Sequence, residues 1–215
     1  MSSSAGRPRA TGAAASSEDA RQAVLDAAAE LFTTTGYAAT STRAIAERAG
    51  LRQASLYYHF PAKEDILCSL LAETVRPSLE VARHLLGLRA EAGARLWALA
   101  CSDIRLLGTA RHNLGALYLL PEVASPGLTV FRTERAELKD AYRALIGGIP
   151  DHAPLGTRTD LVFGLVESIA VVRRDEPALD VEAHARYGAD GVLRLAGAPA
   201  PHDAFRTRAL ALLPW

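Results

Sequence analysis

Residues 41–60, STRAIAERAGLRQASLYYHF, decide how the rest of this chain is understood. Thr40, Ser41 and Thr42 supply hydroxyls that can cap a short helix, on which Ile45, Ala46 and Ala49 share one face. Gly50 tolerates left-handed backbone and so can end it. Leu51 leads into a second short helix from Gln53 to His59, with Leu56 and Phe60 as its buried anchors. Small alanines let the two helices cross closely, and two short helices joined by a glycine turn describe a helix-turn-helix. The second helix keeps Arg52, Gln53, Ser55, Tyr57, Tyr58 and His59 outward. A glutamine can pair bidentately with adenine in a major groove, while hydroxyls, imidazole and lysine suit phosphate oxygens. Periodicity alone is equally compatible with an amphipathic connector whose polar face is merely solvated.

Upstream, Ser16 or Ser17 can cap a helix whose first turn carries Glu18 and Asp19, and Val24, Ala27, Ala28, Leu31 and Phe32 recur at helical spacing until Gly36. Downstream, Pro61 suits the first position of a fourth helix through Ile66, Leu67, Leu70, Leu71, Val75 and Leu79, which Pro77 should kink or split. Further helices are expected over residues 92–111, 114–120, 128–146, 157–174 and 180–195, with a last turn or two over 202–213. Breaks fall at Pro121 and at Ser125-Pro126-Gly127.

The 215 residues are 49% hydrophobic and 22% charged, enough to bury a core without disulfides or metal. The fold class is all-α. Its 24 Lys+Arg balance 24 Asp+Glu, so the whole molecule has no net field to steer it to nucleic acid. Locally, Arg43, Arg48, Arg52 and Lys63 face the single acid Glu47 between Thr40 and Lys63, a net of +3 that leaves −3 elsewhere. Cys68 and Cys101 lie in apolar helical patterns and read as buried small hydrophobes in a reducing cytoplasm. No apolar run spans a bilayer. The opening MSSSAGRPRATGAAASS lacks the apolar centre of a secretory signal and reads as a disordered arm, residues 1–16, whose Arg7 and Arg9 more readily stay solvated than reach a minor groove.

From Val24 to Leu70 the chain carries Ala28-Ala29-Glu30-Leu31-Phe32, Gly36-Tyr37, Thr40 through Ala46, Ala49-Gly50, Leu56-Tyr57-Tyr58-His59-Phe60 and Lys63-Glu64. In these stretches it closely resembles the DNA-binding domain of the TetR (tetracycline-repressor-like) family. The resemblance implies a three-helix DNA-binding domain over residues 17–63, with 41–49 as supporting helix and 53–60 as recognition helix. Residues 64–215 would form a larger helical bundle for effector binding and dimerisation. It makes Arg43 and Gln53 candidate base readers, and places Ala54 and Tyr57 against thymine methyls or sugar. Thr42, Ser55, Tyr58, His59 and Lys63 would hold phosphates, with Arg52 beside them. Arg52-Gln53-Ala54 departs from the Ser-Lys-Gly often seen there, which puts the operator sequence in doubt. Tyr37 is expected to pack rather than touch DNA.

By the same resemblance the bundle would enclose a small, mostly apolar effector. Trp97, Cys101, Ile104, Leu107, Leu114, Tyr118, Phe131, Tyr142 and Phe163 are candidate walls, with His112, Asn113 or Glu167 as polar contacts; each alone reads equally as core. Leu161, Val162, Leu165, Ile169 and Val172, and then Val181, His184, Ala185, Gly188, Val192 and Leu195, form apolar stripes that would pair in a two-fold homodimer. The function this implies is a cytoplasmic repressor that binds a palindromic operator in double-stranded DNA and is released by effector; the alternative is a regulator with no small-molecule effector. No motif for an enzyme, cofactor or metal stands in the sequence. A protein-interaction bundle would leave Gln53, Tyr58 and Lys63 unexplained.

Overall fold

The computed structural model describes residues 16–214, so Arg7, Arg9 and nearly all of the expected arm lie outside the described residues. Within them the chain is all α-helix and 3₁₀ turns. The first helix, α1 (Ser17–Thr34), starts on a capping box: the Ser16 hydroxyl accepts from the Asp19 amide at 3.1 Å and the Asp19 carboxylate accepts from the Ser16 amide at 3.0 Å. Gly36 ends it at φ +95°, and Gly50, at φ +69°, turns the chain between α2 (Thr42–Arg48) and α3 (Gln53–His59). Ser41 is the working cap of α2, accepting from the Ala44 amide. Thr40 instead donates back to the Gly36 carbonyl at 2.8 Å.

The fourth helix, α4 (Lys63–Gly87), departs from expectation at both prolines. It begins two residues after Pro61, because the Asp65 carboxylate takes the Ala62 amide at 2.8 Å and fixes Ala62 as the cap. Pro77 does not split it. Val75, Ser78, Leu79, Val81 and Ala82 are all buried around the proline, and packing holds the helix through the missing hydrogen bond.

α5 (Ala92–Thr109) is the most deeply buried helix, and α9 (Val181–Leu195) lies against it. Their approach requires Gly108 and Gly188: a Cβ on either would fall 2.4 Å from Val181 Cγ1 or 2.6 Å from Ile104 Cδ1. Between α5 and α6 (Thr129–Gly147) the chain makes three 3₁₀ turns, Leu114–Leu119, Pro121–Ala124 and Pro126–Leu128. α6 packs along α4 and α7. The single helix expected over 157–174 is two, α7 (Leu155–Glu167) and α8 (Ile169–Asp175), because the Ser168 hydroxyl bonds the Leu165 carbonyl at 2.6 Å and competes with the helix's own bond. α10 (Asp203–Leu210) closes the chain against α5.

One continuous apolar core runs from α1 to α10. The largest wholly buried side chains are Trp97, Tyr142, Phe32 and Phe131. Cys68 and Cys101 are buried thiols, and burial pushes the Cys101 thiol up. Among the described residues no helix is long and apolar enough to cross a membrane.

Candidate nucleic-acid interface and effector cavity

α3 is a two-turn rod with one buried side. Leu56 is wholly buried and Phe60 closes the helix end, while Tyr58 stands 81% exposed two residues from Leu56. Arg52, Gln53, Ala54, Ser55 and Tyr57 are exposed on the same side, and His59 is half-buried with its ring edge-on to Tyr58. Thr42 binds the Tyr57 hydroxyl at 3.0 Å and accepts from Gln53 Nε2 at 3.3 Å, which fixes the start of α2 to the middle of α3. Arg43 is exposed and pairs with Glu47 one turn on at 2.8 Å. Arg48 ties α2 to Glu30 of α1 through two hydrogen bonds.

One group expected on phosphate has another duty, and Tyr37 packs as expected. The Lys63 ammonium turns inward, donating to the Tyr37 and Thr40 carbonyls at 2.8 and 2.9 Å and resting 4.2 Å from the Tyr37 ring centre. Only one of its three protons is left for an outside acceptor. Tyr37 is buried, edge-on to Phe32 at 5.0 Å. The fold adds a feature that the motif did not reveal. Ser16, Ser17 and Ala20, at the start of α1, form one wall of an open groove whose other wall is Leu51, Ala54, Ser55, Tyr58 and His59. Sequence separation hid that juxtaposition.

In the bundle, the candidate effector residues divide. Leu107, Tyr118, Phe163 and Glu167 meet around an internal cavity of about 20 Å³, room for one water. Trp97, Cys101, Ile104, Phe131 and Tyr142 are wholly or almost wholly buried core and do not line it. Trp97 donates instead to Asp190 at 2.8 Å. His112 and Leu114 are half-buried away from it, and Asn113 is taken up by the Ala170 carbonyl at 2.7 Å. Sequence reading missed Thr74, Ser78, Asp103 and Arg135, which bring most of the cavity's polarity. The Tyr142 hydroxyl donates to Asp103 Oδ2 at 2.7 Å, and burial pushes the Asp103 carboxyl up to about 7 against that bond and the Ser78 hydroxyl. Arg135 grips Glu167 at 2.7 and 2.6 Å and lies over the Phe163 ring. Burial raises the Tyr118 phenol, whose hydroxyl meets Thr74. A second, outer chamber of about 350 Å³ shares Tyr118 and Glu167 with the first and opens past Leu119, Gly164 and Val171.

The apolar stripes expected to pair two copies mostly face this protomer's own core. Val162, Ile169, Ala185 and Val192 are buried, and Gly188 faces Ile104. A 3.6-residue period cannot tell a face turned to the core from one turned to a partner. The apolar residues left exposed on α7 to α9 are Leu161, Val171, Tyr187 and Leu195.

A helix-turn-helix with a polar reader face, set on a helical bundle, defines a DNA-binding transcription regulator. A sequence model of bacterial regulatory proteins of the tetR family matches residues 24–70. AmtR of Mycobacterium smegmatis has a crystal structure 44% identical in sequence, covering 95% of this chain and 97% of that one with a TM-score of 0.80. The chain belongs to the TetR family. It is also 33% identical over 129 residues to the HTH-type transcriptional repressor KstR2 of Rhodococcus jostii, a match covering 60% of this chain and 62% of that protein's length, under two thirds of it. FadR of Bacillus subtilis, solved in complex with stearoyl-CoA, is 24% identical over 83% of this chain and 99% of that one, with a TM-score of 0.62, and shares the fold.

Proposed function

We propose that this chain is a ligand-responsive repressor that binds a palindromic operator as a two-fold dimer and lets go when an effector occupies the bundle. Residues 17–63 act as reader and 64–215 as sensor and dimerisation unit. The observation that carries the reading is the split character of α3, with Leu56 fully buried and Tyr58 81% exposed on a rod held by α2. Gln53 and Arg43 read bases; Ser55, Tyr58 and His59 hold phosphates; Arg52 adds charge; Ala54 and Tyr57 pack on methyl or sugar. Thr42 acts through Tyr57 and Gln53, and Lys63 chiefly through the loop it clasps. Exposed Leu161, Val171, Tyr187 and Leu195 support pairing through α7 to α9. KstR2 is named as a repressor, and FadR is solved with an acyl-CoA.

Selection of bound fragments from random duplex DNA by the purified chain tests this. A palindrome with half-sites a whole number of helical turns apart is expected. Fragments with no shared sequence, or binding unchanged when Gln53 and Tyr58 are both replaced by alanine, would overturn it. A second reading, a regulator without effector, is favoured by how fully Trp97, Phe131 and Tyr142 fill the core. Compound screening against the selected operator separates the two.

A further inference from the structure

Of the bundle's acids, Asp103 and Asp190 are almost wholly buried and Glu167 is half-buried beside the inner cavity; Asp190 and Glu167 are matched by arginine. Asp190, 2% exposed, takes Arg206 at 2.6 Å and the Trp97 indole; Glu167 takes both arms of Arg135. Asp103, also 2% exposed, has no cation. Its Oδ2 accepts from Tyr142, its Oδ1 is left without a well-formed hydrogen bond although the Ser78 hydroxyl lies beside the carboxyl, and it lines the inner cavity. An isolated buried carboxylate is costly unless a positive donor meets it. Around the cavity Arg135 is already taken by Glu167, so Asp103, once ionised, has no countercharge in the lining.

The inner cavity is separated from the outer chamber by Tyr118 and Glu167, residues common to both. Tyr118 is held by Thr74, whose own hydroxyl donates to the Leu71 carbonyl at 2.7 Å, so the phenol is the donor between them. On the Tyr118 side that bond and the packing of the ring on Phe131 hold the partition; on the other side Arg135 holds Glu167. We propose that the two spaces are the ends of one effector site, and that its ligand is a small organic monocation, a protonated amine on a short apolar body, whose N–H donates to Asp103 Oδ1. The apolar body lies past Tyr118 against Leu119, Gly164 and Val171. This rests on the ligand-responsive reading above and narrows it. An anion would meet two acids there, and a neutral apolar molecule would leave Oδ1 as it is. A bulky acyl-CoA would not fit behind Tyr118.

Such a ligand also reaches the DNA reader. Thr74 and Ser78 belong to α4. Tyr118 lies in the first of the three 3₁₀ turns; Ser125, between the second and the third, is hydrogen-bonded to Glu64 in the first turn of α4. Displacing Tyr118 therefore acts on the same helix at its middle and at its start.

The test uses the full chain bound to its selected operator fragment and a panel of linear, branched and aromatic primary amines, each set against the matching alcohol and carboxylate. The expected result is that an amine raises the melting temperature and weakens operator binding about tenfold or more, within the usual range of such coupling, while its alcohol and carboxylate counterparts do neither. Asp103→Asn should remove the amine effect; because amine, alcohol and carboxylate are compared on the unaltered chain, the result stands even where that variant folds poorly. No response to any amine, an equal or stronger response to the carboxylates, or an amine response unchanged in Asp103→Asn would overturn the proposal. Release by a carboxylate or a neutral compound would leave the ligand-responsive reading standing without it; no release by any screened compound would remove both.

Discussion

The reader and the bundle place their polar groups oppositely. In α1 to α3 the core is small and apolar, Val24, Leu25, Phe32, Ile45 and Leu56, and the hydrogen-bonding side chains singled out on α2 and α3 stand outside it. In the bundle the outer faces of α7 to α9 show Leu161, Val171 and Tyr187, while Asp103, Arg158, Thr159 and Asp190 are buried. A surface built to touch a solvated polyanion keeps its polar atoms wet until contact. The bundle interior instead holds its polar atoms dry, and leaves Asp103 Oδ1 unmatched. The stability of the two regions should therefore respond to different insults.

The largest effect is expected in the reader. Leu56→Ala removes the only wholly buried side chain of α3 and should cost about 2–5 kcal/mol. Denaturant unfolding should show that loss, and operator binding should vanish with it. Next comes Gln53→Ala, which should weaken operator binding by about 1–3 kcal/mol and relax preference at one base position. Its melting temperature should stay put, since the side chain is exposed. If Gln53→Ala unfolds the head, the division between a dry core and a wet reading face is wrong.

The bundle's signature is pH. The Asp103 carboxyl keeps its proton up to about 7 when folded, against an ordinary value of 3.8 when unfolded. The folded state thus binds more protons in that window, and stability should fall as pH rises from about 4 to about 7, then level off. Melting curves of the wild type and Asp103→Asn should diverge across that range, the variant lacking this fall; parallel curves would mean the carboxyl is already matched. The smallest effect belongs to Arg43→Ala, whose exposed pair with Glu47 should move stability by no more than about 0.5 kcal/mol. Operator affinity should fall by more than that if Arg43 reaches DNA.

The same contrast explains what could be foreseen. The reader was legible because its determinants are local: a serine cap, two glycines at positive φ and anchors a few residues apart. Even there, Lys63 misled, since its carbonyl partners lie 23 and 26 residues back and leave no periodic trace. In the bundle, helix positions were legible but facing was not. Val162 and Leu161 are neighbours in sequence and belong to opposite environments, one buried and one half-open. Asp103 did leave a signal, an acid in step with Ala100, Ile104 and Leu107 on a face otherwise apolar. Its companions Thr74, Tyr118 and Arg135 come from other helices, and no spacing rule joins them. Ser168 parted a helix through one hydroxyl, which propensity cannot foresee.

The Lys63 clasp has a consequence for how such a molecule can diversify. It grips main-chain oxygens of residues 37 and 40, atoms that every amino acid supplies. The joint between α4 and the reader is thus blind to the side chains displayed on α3. If residues 52–55 address the operator and the bundle senses an effector, as proposed, those residues can be exchanged while the mechanical connection between the two survives intact, so address and trigger can be rewritten separately.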